Sequence, residues 1–403
     1  MEEWKKNLYV LSGCLFLVMV AMSMVMPFLP LFIQNDLGIT DQGQVTTWAG
    51  IIFGANFLTA GLVSPIWGNL ADKHGRKIMI LRSGYCMSLI IALTGFAGSV
   101  WQLLGLRLLN GTVGGIIPAS TALIASSAPS EKAGWAQGTL QSSAVAGTIM
   151  GPFFGGLLAE AFGFRMIFVL TGCLILIATV IITFVVKEDF TPPPPKEQSS
   201  IREDFKVIFS TQPLPALFFT TVMIQFALLS VNPVLPIYVQ RLIGSSEGVA
   251  FFAGLVTAAM GLANVLAAPQ LGKLGDRFGS QKVLLICLFT AAIIIFPQSM
   301  VTSVWQLVAL RFFQGLCIGG LLPSVNSLLR KATPSEMTSR VYGYNNSFVS
   351  FGSMLGPVTG GLVASKFDLH SVFWMTSGLL VIGGLWVWHS LPKIEHVGEN
   401  DFH

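Results

Sequence analysis

Charged residues are scarce in this chain: they make up 10% of its 403 residues, whereas hydrophobic residues make up 53%. A water-soluble domain normally carries about 25% charged residues, so a soluble globular protein is excluded. The mean hydropathy is +0.71, and apolar runs of about 20 residues, the length that crosses a hydrocarbon core as a helix, recur along the chain. The chain is therefore predicted to lie in a membrane.

The motifs of common enzymatic and cofactor chemistry are missing as well. The sequence has five cysteines and no CxxC pair, and its five histidines lie at loops or at the ends of apolar runs. A nucleotide-binding G-x-x-x-x-G-K-[ST] motif does not occur. No basic face has the pattern of a nucleic-acid site. We expect no cofactor, no metal, no nucleic-acid partner and no enzymatic activity.

Twelve apolar runs between about residues 9 and 391 predict twelve transmembrane helices. Short cytoplasmic loops accumulate lysine and arginine, and with both termini inside, most of the 23 basic residues fall on one side. Arg165, Arg241 and Lys366 fall on the other side, and Arg107 and Arg311 lie within predicted spans. The basic residues thus predict a multi-pass protein of the plasma membrane with both termini in the cytoplasm.

The two halves of the chain repeat each other. The charged stretch "GNLADKHGRK" at 68–77 returns as "GKLGDRFGSQ" at 272–281, and "WQLLGLRLLNGTVGGIIP" at 101–118 returns as "WQLVALRFFQGLCIGGLLP" at 305–323. The offsets stay between 204 and 206. Such a duplication of six spans is the architecture of secondary transporters whose substrate site lies between the halves.

The repeat predicts an all-α integral membrane fold with twelve transmembrane helices in two pseudo-symmetric six-helix bundles. The bundles are expected at residues 1–190 and 213–403. Residues 191–212 contain four consecutive prolines. Because polyproline is extended and solvated, this segment is predicted to be a cytoplasmic linker.

Three motifs make the chain resemble the major facilitator superfamily. "GNLADKHGRK" is similar to the family's signature between spans two and three, G-x-L-a-D-r-x-G-r-k, and "LRLLNGTVGG" to its fourth-span R-x-x-x-G. "GTIMGPFFGG" at 147–156 is similar to the fifth-span antiporter signature G-x-x-x-G-P-x-x-G-G. Within that superfamily the chain resembles the twelve-span drug:proton antiporters of Gram-positive bacteria, the NorA-like and PmrA-like exporters.

This resemblance implies a proton-coupled exporter of amphipathic drugs, such as dyes and quinolone-type antibiotics, that works by alternating access. Its partners would be the lipid bilayer, protons and small amphipathic substrates, and we expect a monomer driven by the proton gradient alone. An exporter of a sugar or other small metabolite is the main alternative. A membrane enzyme, a receptor-like relative that does not transport, and a pump with an ATPase partner are further alternatives.

The charged turn is the first candidate site, a conformational latch. Gly75 permits a backbone turn that bulkier residues disfavour, and a carboxylate at position 72 has the position to cap a helix of the other half. A solvated turn acid is the simpler interpretation; the resemblance implies the locking role. The residues assigned to the latch are Gly68, Asp72, Gly75, Arg76, Lys77 and, in the second copy, Asp276. The partner of Arg76 stays open between Glu131 and others, since position 126 is serine.

Proton coupling is assigned to Arg107, Glu160 and Asp36. A charge inside a span is normally paired or faces a wet cavity, and a fixed cation lowers the pKa of a nearby acid. The alternative for Arg107 is that its side chain extends to the membrane surface. Glu160 and Asp36 are the nearest acids, at the predicted outer ends of the fifth and first spans.

The fifth-span motif comprises Gly147, Gly151, Pro152, Gly155 and Gly156. Glycines four residues apart share one helix face, so another helix can approach them closely. A packing face is one interpretation of this motif. The resemblance implies a second one, a hinge and a seal against proton leak.

Few polar side chains lie within the apolar runs, and these are the candidate substrate-pocket residues. They are Asn56, Gln141, Gln225, Asn232, Asn264, Asn326, Asn345 and Asn346. Each is equally suited to ordinary hydrogen bonding between helices. Together with the adaptable methionine and abundant phenylalanine side chains, they predict a permissive pocket.

Overall fold

The computed structural model describes residues 2–129, 132–188, 190, 213–245, 247–333 and 338–391, with the backbone alone for Asp72 and for residues 338–340. The predicted linker at 191–212 lies outside the described residues. In the part of the chain that is described, twelve helical segments are long and apolar enough to cross a membrane, and no strand occurs. The predicted all-α fold with twelve spans is confirmed.

The helices follow one another with short connections. Before the linker they are α1 (Glu3–Val25), α2 (Leu29–Asn35), α3 (Gln42–His74), α4 (Arg76–Thr94), α5 (Val100–Val113), α6 (Ile116–Ser127), α7 (Ala133–Phe162) and α8 (Phe164–Val185). After the linker they are α9 (Leu214–Ser230), α10 (Leu235–Ile243), α11 (Val249–Phe278), α12 (Ser280–Gln298), α13 (Val304–Ala332), α14 (Thr338–Lys366) and α15 (Leu369–Ser390).

The chain forms two compact units. The first contains the described residues before 197 together with Leu235–Ala258, and the second contains 213–234 and the described residues from Ala259 onward. Within the first unit α1 packs on α7 and α8, and α4 packs on α8; within the second, α9 packs on α14, and α12 packs on α13 and α15.

Prolines interrupt the first and seventh spans. A short 3-10 turn at Met26–Phe28, which contains Pro27, separates α1 from α2. Residues 231–234, which contain Pro233, separate α9 from α10. Proline has no amide hydrogen to donate and clashes with the preceding turn, so a straight helix does not continue through these positions.

The two copies of the charged turn adopt the same backbone conformation. Gly75 separates α3 from α4 with φ of +95°, and Gly279 separates α11 from α12 with φ of +96°. A residue with a Cβ atom is strained at such angles, whereas glycine adopts them freely. The repeated glycine in the sequence therefore marks a real helix-to-helix corner in each half.

The fourth span differs from the single helix that the sequence predicts. It is divided into α5 and α6 by Gly114 and Gly115, which are not helical, and Gly115 has φ of +137°. Its counterpart in the second half, α13, is one helix from Val304 to Ala332.

Candidate functional sites

The charged turn is held by an acid that the sequence motif does not contain. Glu188, just beyond the end of α8, accepts hydrogen bonds from the backbone amides of Arg76 (3.0 Å) and Lys77 (2.7 Å). These amides open α4 and have no partner within the helix, so a carboxylate there satisfies two free donors and complements the helix dipole. A Cβ atom on Gly75 would lie 3.0 Å from Glu188 Oε2. Glycine is therefore favoured at this corner by the limited space as well as by its positive φ.

The segment that carries Glu188 is fixed by further contacts to α1 and α4. Asn7 donates from Nδ2 to the carbonyl of Lys187 (2.7 Å) and accepts from the Lys187 amide (3.2 Å). Lys77 donates from Nζ to the carbonyl of Thr183 at 3.0 Å. The end of α8 thus joins the start of α1 to the start of α4.

We expect Glu188→Ala to lower the stability of the purified protein by about 1–2 kcal/mol, the usual cost of removing a helix cap. Glu188→Gln is the control, because its amide oxygen retains one acceptor while the charge is lost, and it should show a smaller loss. The midpoint of thermal unfolding in detergent measures both. Equal midpoints for the wild type and the alanine variant would show that the cap contributes nothing.

The acids proposed for the latch itself receive no test from the structure. Asp72 lies in the last turn of α3, but its side chain is not among the parts of the chain that the structure describes. Glu131 also lies outside the described residues. Asp276 lies in α11 and is exposed. Gly68 has open space where a Cβ atom would be. The latch therefore stays a prediction.

Arg165 and Asp36 form an ion pair at the other end of the first unit. Arg165 Nε lies 3.0 Å from Asp36 Oδ1, and its Nη1 donates to the carbonyls of Gly95 (3.0 Å) and Ala97 (3.2 Å). Burial raises the pKa of the Asp36 carboxyl above its ordinary value, and the Arg165 guanidinium opposes that rise. A raised pKa makes Asp36 easier to protonate than a solvated aspartate.

Arg107 and Arg311, at corresponding positions of the two halves, are both buried. Arg107 is 9% exposed and Arg311 is 2% exposed. The guanidinium of Arg107 lies 5.7 Å from the ring centre of Phe168, and Arg311 Nη1 lies 3.6 Å from Met260 Sδ. Among the described residues no acid forms an ion pair with either arginine. The proposed effect of Arg107 on a nearby acid remains a prediction.

Glu160 caps a helix at the same end of the first unit as Asp36. Its Oε1 accepts a hydrogen bond from the amide of Phe251 (3.2 Å), in the first turn of α11. It borders a cavity of about 320 Å³, also lined by Leu31, Asn35, Gln240 and Glu247. A carboxylate at a helix N-terminus complements the helix dipole, so this contact stabilises the start of α11.

The fifth-span glycines lie against α1. A Cβ atom on Gly147 would meet the carbonyl oxygen of Phe16 at 2.4 Å, and one on Gly151 would meet that of Val20 at 2.5 Å. Gly155 faces Met24 in the same way, with its carbonyl oxygen at 2.6 Å. These distances leave no room for a side chain. The motif therefore forms a close-packed helix contact, and its role as a hinge or proton seal stays a prediction.

A second face of the motif lies against the start of α11, within the first unit. A Cβ atom on Gly156 would lie 2.8 Å from the carbonyl oxygen of Ala250, and one on Gly254 would lie 2.2 Å from that of Pro152. The helix that Glu160 caps is thus also the helix that the antiporter motif contacts.

The candidate pocket residues lie in different local environments. Asn56 accepts from Asn110 Nδ2 (3.0 Å), which joins α3 to α5, and Asn345 accepts from Thr221 (2.9 Å), which joins α9 to α14. Gln141, Asn326 and Asn346 are exposed, and Gln225, Asn232 and Asn264 are half-buried. For Asn56 and Asn345 the structure shows hydrogen bonding between helices, and a substrate role for the set stays a prediction.

Comparison with known proteins identifies the class. The family model of the Major Facilitator Superfamily matches residues 11–253 and 217–402, and the chain belongs to that family. The fold agrees: the chain has a TM-score of 0.81 and 16% identity to a bacterial homologue of the human lysosomal transporter Spinster, over 98% of both chains. It has a TM-score of 0.77 and 14% identity to the nucleoside transporter NupG, over 96% of this chain and 99% of that one.

Curated relatives are more similar in sequence. The chain is 40% identical to the multidrug resistance protein MdtG of Salmonella heidelberg (strain SL476) over 392 residues, which are 97% of this chain and 96% of that protein. MdtG of Salmonella typhimurium matches with the same identity and coverage. Membership of this superfamily makes the chain a multi-pass membrane transporter and not an enzyme.

Proposed function

We propose that this protein exports amphipathic drugs across the plasma membrane in exchange for protons. The observation that carries the proposal is the 40% identity to the multidrug resistance protein MdtG over 97% of the chain. The antiporter-like motif at 147–156 favours export over uptake. The closer grouping with NorA-like and PmrA-like exporters of Gram-positive bacteria rests on the motifs alone. The monomeric state rests on that resemblance, and the cytoplasmic location of both termini rests on the distribution of lysine and arginine.

The acids at one end of the first unit support proton coupling. Glu160 is hydrogen-bonded to the first turn of α11, and Asp36 is ion-paired with Arg165. On the predicted topology both face the outside, from which protons enter. In this proposal a proton taken up by Glu160 neutralises its carboxylate, weakens the bond to the Phe251 amide, and frees the start of α11 to separate from the fifth span.

The energy available from one proton is sufficient for export. A charge that crosses the membrane yields about 2.3 kcal/mol per 100 mV, and each pH unit adds about 1.4 kcal/mol. Since 1.4 kcal/mol corresponds to a tenfold ratio, one proton maintains a gradient of a neutral drug of roughly ten- to several hundredfold.

Dye efflux from vesicles tests the proposed function. Vesicles that contain the protein are loaded with ethidium, and the pH gradient and potential are collapsed with ionophores while ATP is retained. We expect efflux to stop under these conditions and to continue when ATP is depleted but the gradient is kept. Efflux that follows ATP without a gradient contradicts proton coupling. A host that gains tolerance to one metabolite, and to no dye or quinolone, supports the alternative of a metabolite exporter.

We expect Glu160→Gln to reduce proton-driven efflux more strongly than ethidium binding. Glutamine keeps an acceptor for the Phe251 amide but cannot take up a proton, so the pH dependence of efflux should be lost. Glu247→Gln is the matched control, because Glu247 borders the same cavity, and its efflux should keep the pH dependence of the wild type. Efflux measured from acidic to neutral pH decides the matter. An unchanged profile in the Glu160 variant removes this residue from the proton path.

A further inference from the structure

The break in the fourth span exposes backbone groups inside the membrane. α5 ends at Val113 and α6 begins at Ile116, and Gly115 has φ of +137° and ψ of 6°. In a continuous helix the carbonyls before the break would accept hydrogen bonds from amides one turn later. Irregular backbone at membrane depth occurs only where protein or water satisfies the freed groups.

Three carbonyls at the break accept hydrogen bonds from side chains. Trp67 Nε1 donates to the carbonyl of Thr112 (2.6 Å), and Ser83 Oγ donates to that of Val113 (2.7 Å). Arg82 Nη2 donates to the carbonyl of Gly114 (3.3 Å). The donors come from α3 and α4, so both helices hold the break in place.

Arg82 is the centre of this arrangement, which we call the Arg82 cluster: Trp67, Arg82, Ser83 and the break at Gly114 and Gly115. Its guanidinium carbon lies 3.2 Å from the ring centre of Trp67, and its Nη2 also donates to Ser83 Oγ (2.9 Å). Its Nε and Nη1 are buried and have no acceptor in the part of the chain that is described. A charge within a span is costly and commonly marks a functional site.

The second half of the chain has none of these donors at the corresponding positions. Offsets of 204 make Trp67, Arg82 and Ser83 correspond to Leu271, Ile286 and Cys287. Leu271 and Cys287 contact the glycine that corresponds to Gly115: a Cβ atom on Gly320 would lie 2.6 Å from Cys287 Sγ and 3.0 Å from Leu271 Cδ1. With these side chains the helix α13 continues through Gly320.

Proline does not account for the difference between the halves. Pro118 follows the break in the first half, and Pro323 occupies the corresponding position inside the unbroken helix α13. Two features distinguish the broken span: the set of three donors, and its spacing, because six residues separate Arg107 from Gly114 whereas seven separate Arg311 from Gly319. The chain thus keeps a half-buried cation and an interrupted helix where its own second half has apolar residues and a continuous helix.

We propose that the break at Gly114 and Gly115 is a hinge of the transport cycle and that Arg82 is the positioning residue that controls it. α6 moves relative to α5, and the unused Nε and Nη1 donors let Arg82 stay bonded to a carbonyl while it does so. Helices interrupted in this way are the moving and substrate-contacting elements of other secondary transporters. The transport part of this inference rests on the proposed function; the structural part does not.

Distances between spin labels test the hinge without any substrate. In protein whose native cysteines are replaced, labels are placed at the exposed positions Leu89 on α4 and Ser126 on α6, and, as a control pair, at Leu89 and Leu109 on α5. In lipid nanodiscs at acidic and at neutral pH, we expect two populations or a shift for the α4–α6 pair and one narrow distance for the control pair. One narrow, unchanged α4–α6 distance overturns the proposal.

A triple variant removes the donors and tests their part in the hinge. In Trp67→Leu, Arg82→Ile and Ser83→Ala combined, the α4–α6 distance should become single, because the span is then free to continue as α13 does. Two persisting populations show that the hinge does not depend on Arg82. If this variant does not fold, Arg82→Lys is measured in its place, since lysine keeps a donor for Gly114 but loses the planar stacking on Trp67. The ratio of the two distance populations should then differ from that of the wild type. An unchanged ratio overturns the role of Arg82.

Ethidium efflux distinguishes a positioning role of Arg82 from a merely structural one, because it separates the maximal rate from the concentration for half-maximal rate. Arg82→Ile should lower the maximal rate by about tenfold or more while the concentration for half-maximal rate stays within a few-fold, and Arg82→Lys should retain more activity. Cys287→Ser in the second half is the control and should keep the wild-type rate. A wild-type rate for Arg82→Ile overturns the proposal. Failure of the wild type to move ethidium contradicts the proposed function instead, and the distances still decide the hinge.

Discussion

Gly151→Ala is expected to reduce the yield of folded protein severely and to lower its unfolding midpoint by about 5 °C or more. A Cβ atom at this position would lie 1.9 Å from Ser23 Oγ, 2.5 Å from the carbonyl oxygen of Val20 and 3.0 Å from the Met24 amide nitrogen. Ser23 Oγ is itself bonded to the carbonyl of Met19 (2.6 Å). Because two of the three contacts are backbone atoms, α1 and α7 have to separate.

Gly138→Ala on the same helix is the matched control for this prediction. No heavy atom lies within 4 Å of a Cβ atom at Gly138, so alanine fits there and gains up to about 1 kcal/mol of helix propensity. Size-exclusion profiles and thermal unfolding in detergent compare the two variants. A second comparison adds Ser23→Gly to Gly151→Ala: because the Val20 carbonyl remains, only part of the loss should be recovered. Similar midpoints for Gly151→Ala and Gly138→Ala would show that the helix contact is less tight than the distances indicate.

Asp72→Asn is expected to slow transport by about tenfold or more, with substrate affinity unchanged within a few-fold, and Asp276→Asn is expected to be milder. An acid at a helix end contributes about 0.3–2 kcal/mol, which shifts a balanced two-state equilibrium by roughly two- to thirtyfold. The copies differ in what surrounds the acid: the first ends in Arg76 and Lys77, and the second in Ser280 and Gln281.

The structure adds a further difference between the two turns. In the first copy the carboxylate of Glu188 binds the opening amides of α4, whereas in the second Ser280 donates from Oγ to Ser327 Oγ at 2.8 Å. The two corners are therefore held by different partners. Turnover and ethidium binding at matched expression, with cysteine accessibility from each side, measure the effect. Equal losses in both variants would indicate that the repeat sets topology or shapes a turn and that the latch lies elsewhere.

The sequence predicted the spans well and the partners of site residues poorly. Hydropathy and charge identified twelve spans, and the glycine in each charged turn identified the two corners at Gly75 and Gly279. The sequence leaves Glu131 as a candidate partner of Arg76. In the structure the backbone amides of Arg76 and Lys77 donate to Glu188. An acid directly before the proline-rich segment was the available signal, but nothing in the motif points to it.

The fourth span shows where the duplication misleads. Both halves have two adjacent glycines and a proline at corresponding positions, so the repeat predicts equal helices there. The two spans differ by one residue in the spacing from the arginine to the glycine pair, and the broken one is contacted by Trp67, Arg82 and Ser83, which lie elsewhere in the sequence, on α3 and α4. The charge pattern groups Arg82 with the basic residues of the cytoplasmic side, and its stacking on Trp67 depends on the packing of α3 beside α4.

The sequence by itself determined the membrane location, the number of spans, the internal repeat and the family, because apolar length, charge scarcity and glycine turns are local properties of the chain. Tertiary structure decided which groups meet. Glu188 reaches Arg76 across 112 residues, Glu160 reaches Phe251 across 91, and Trp67 reaches Thr112 across 45. These contacts depend on which helix faces pack together, and a hydropathy pattern shared by all twelve spans does not specify that choice.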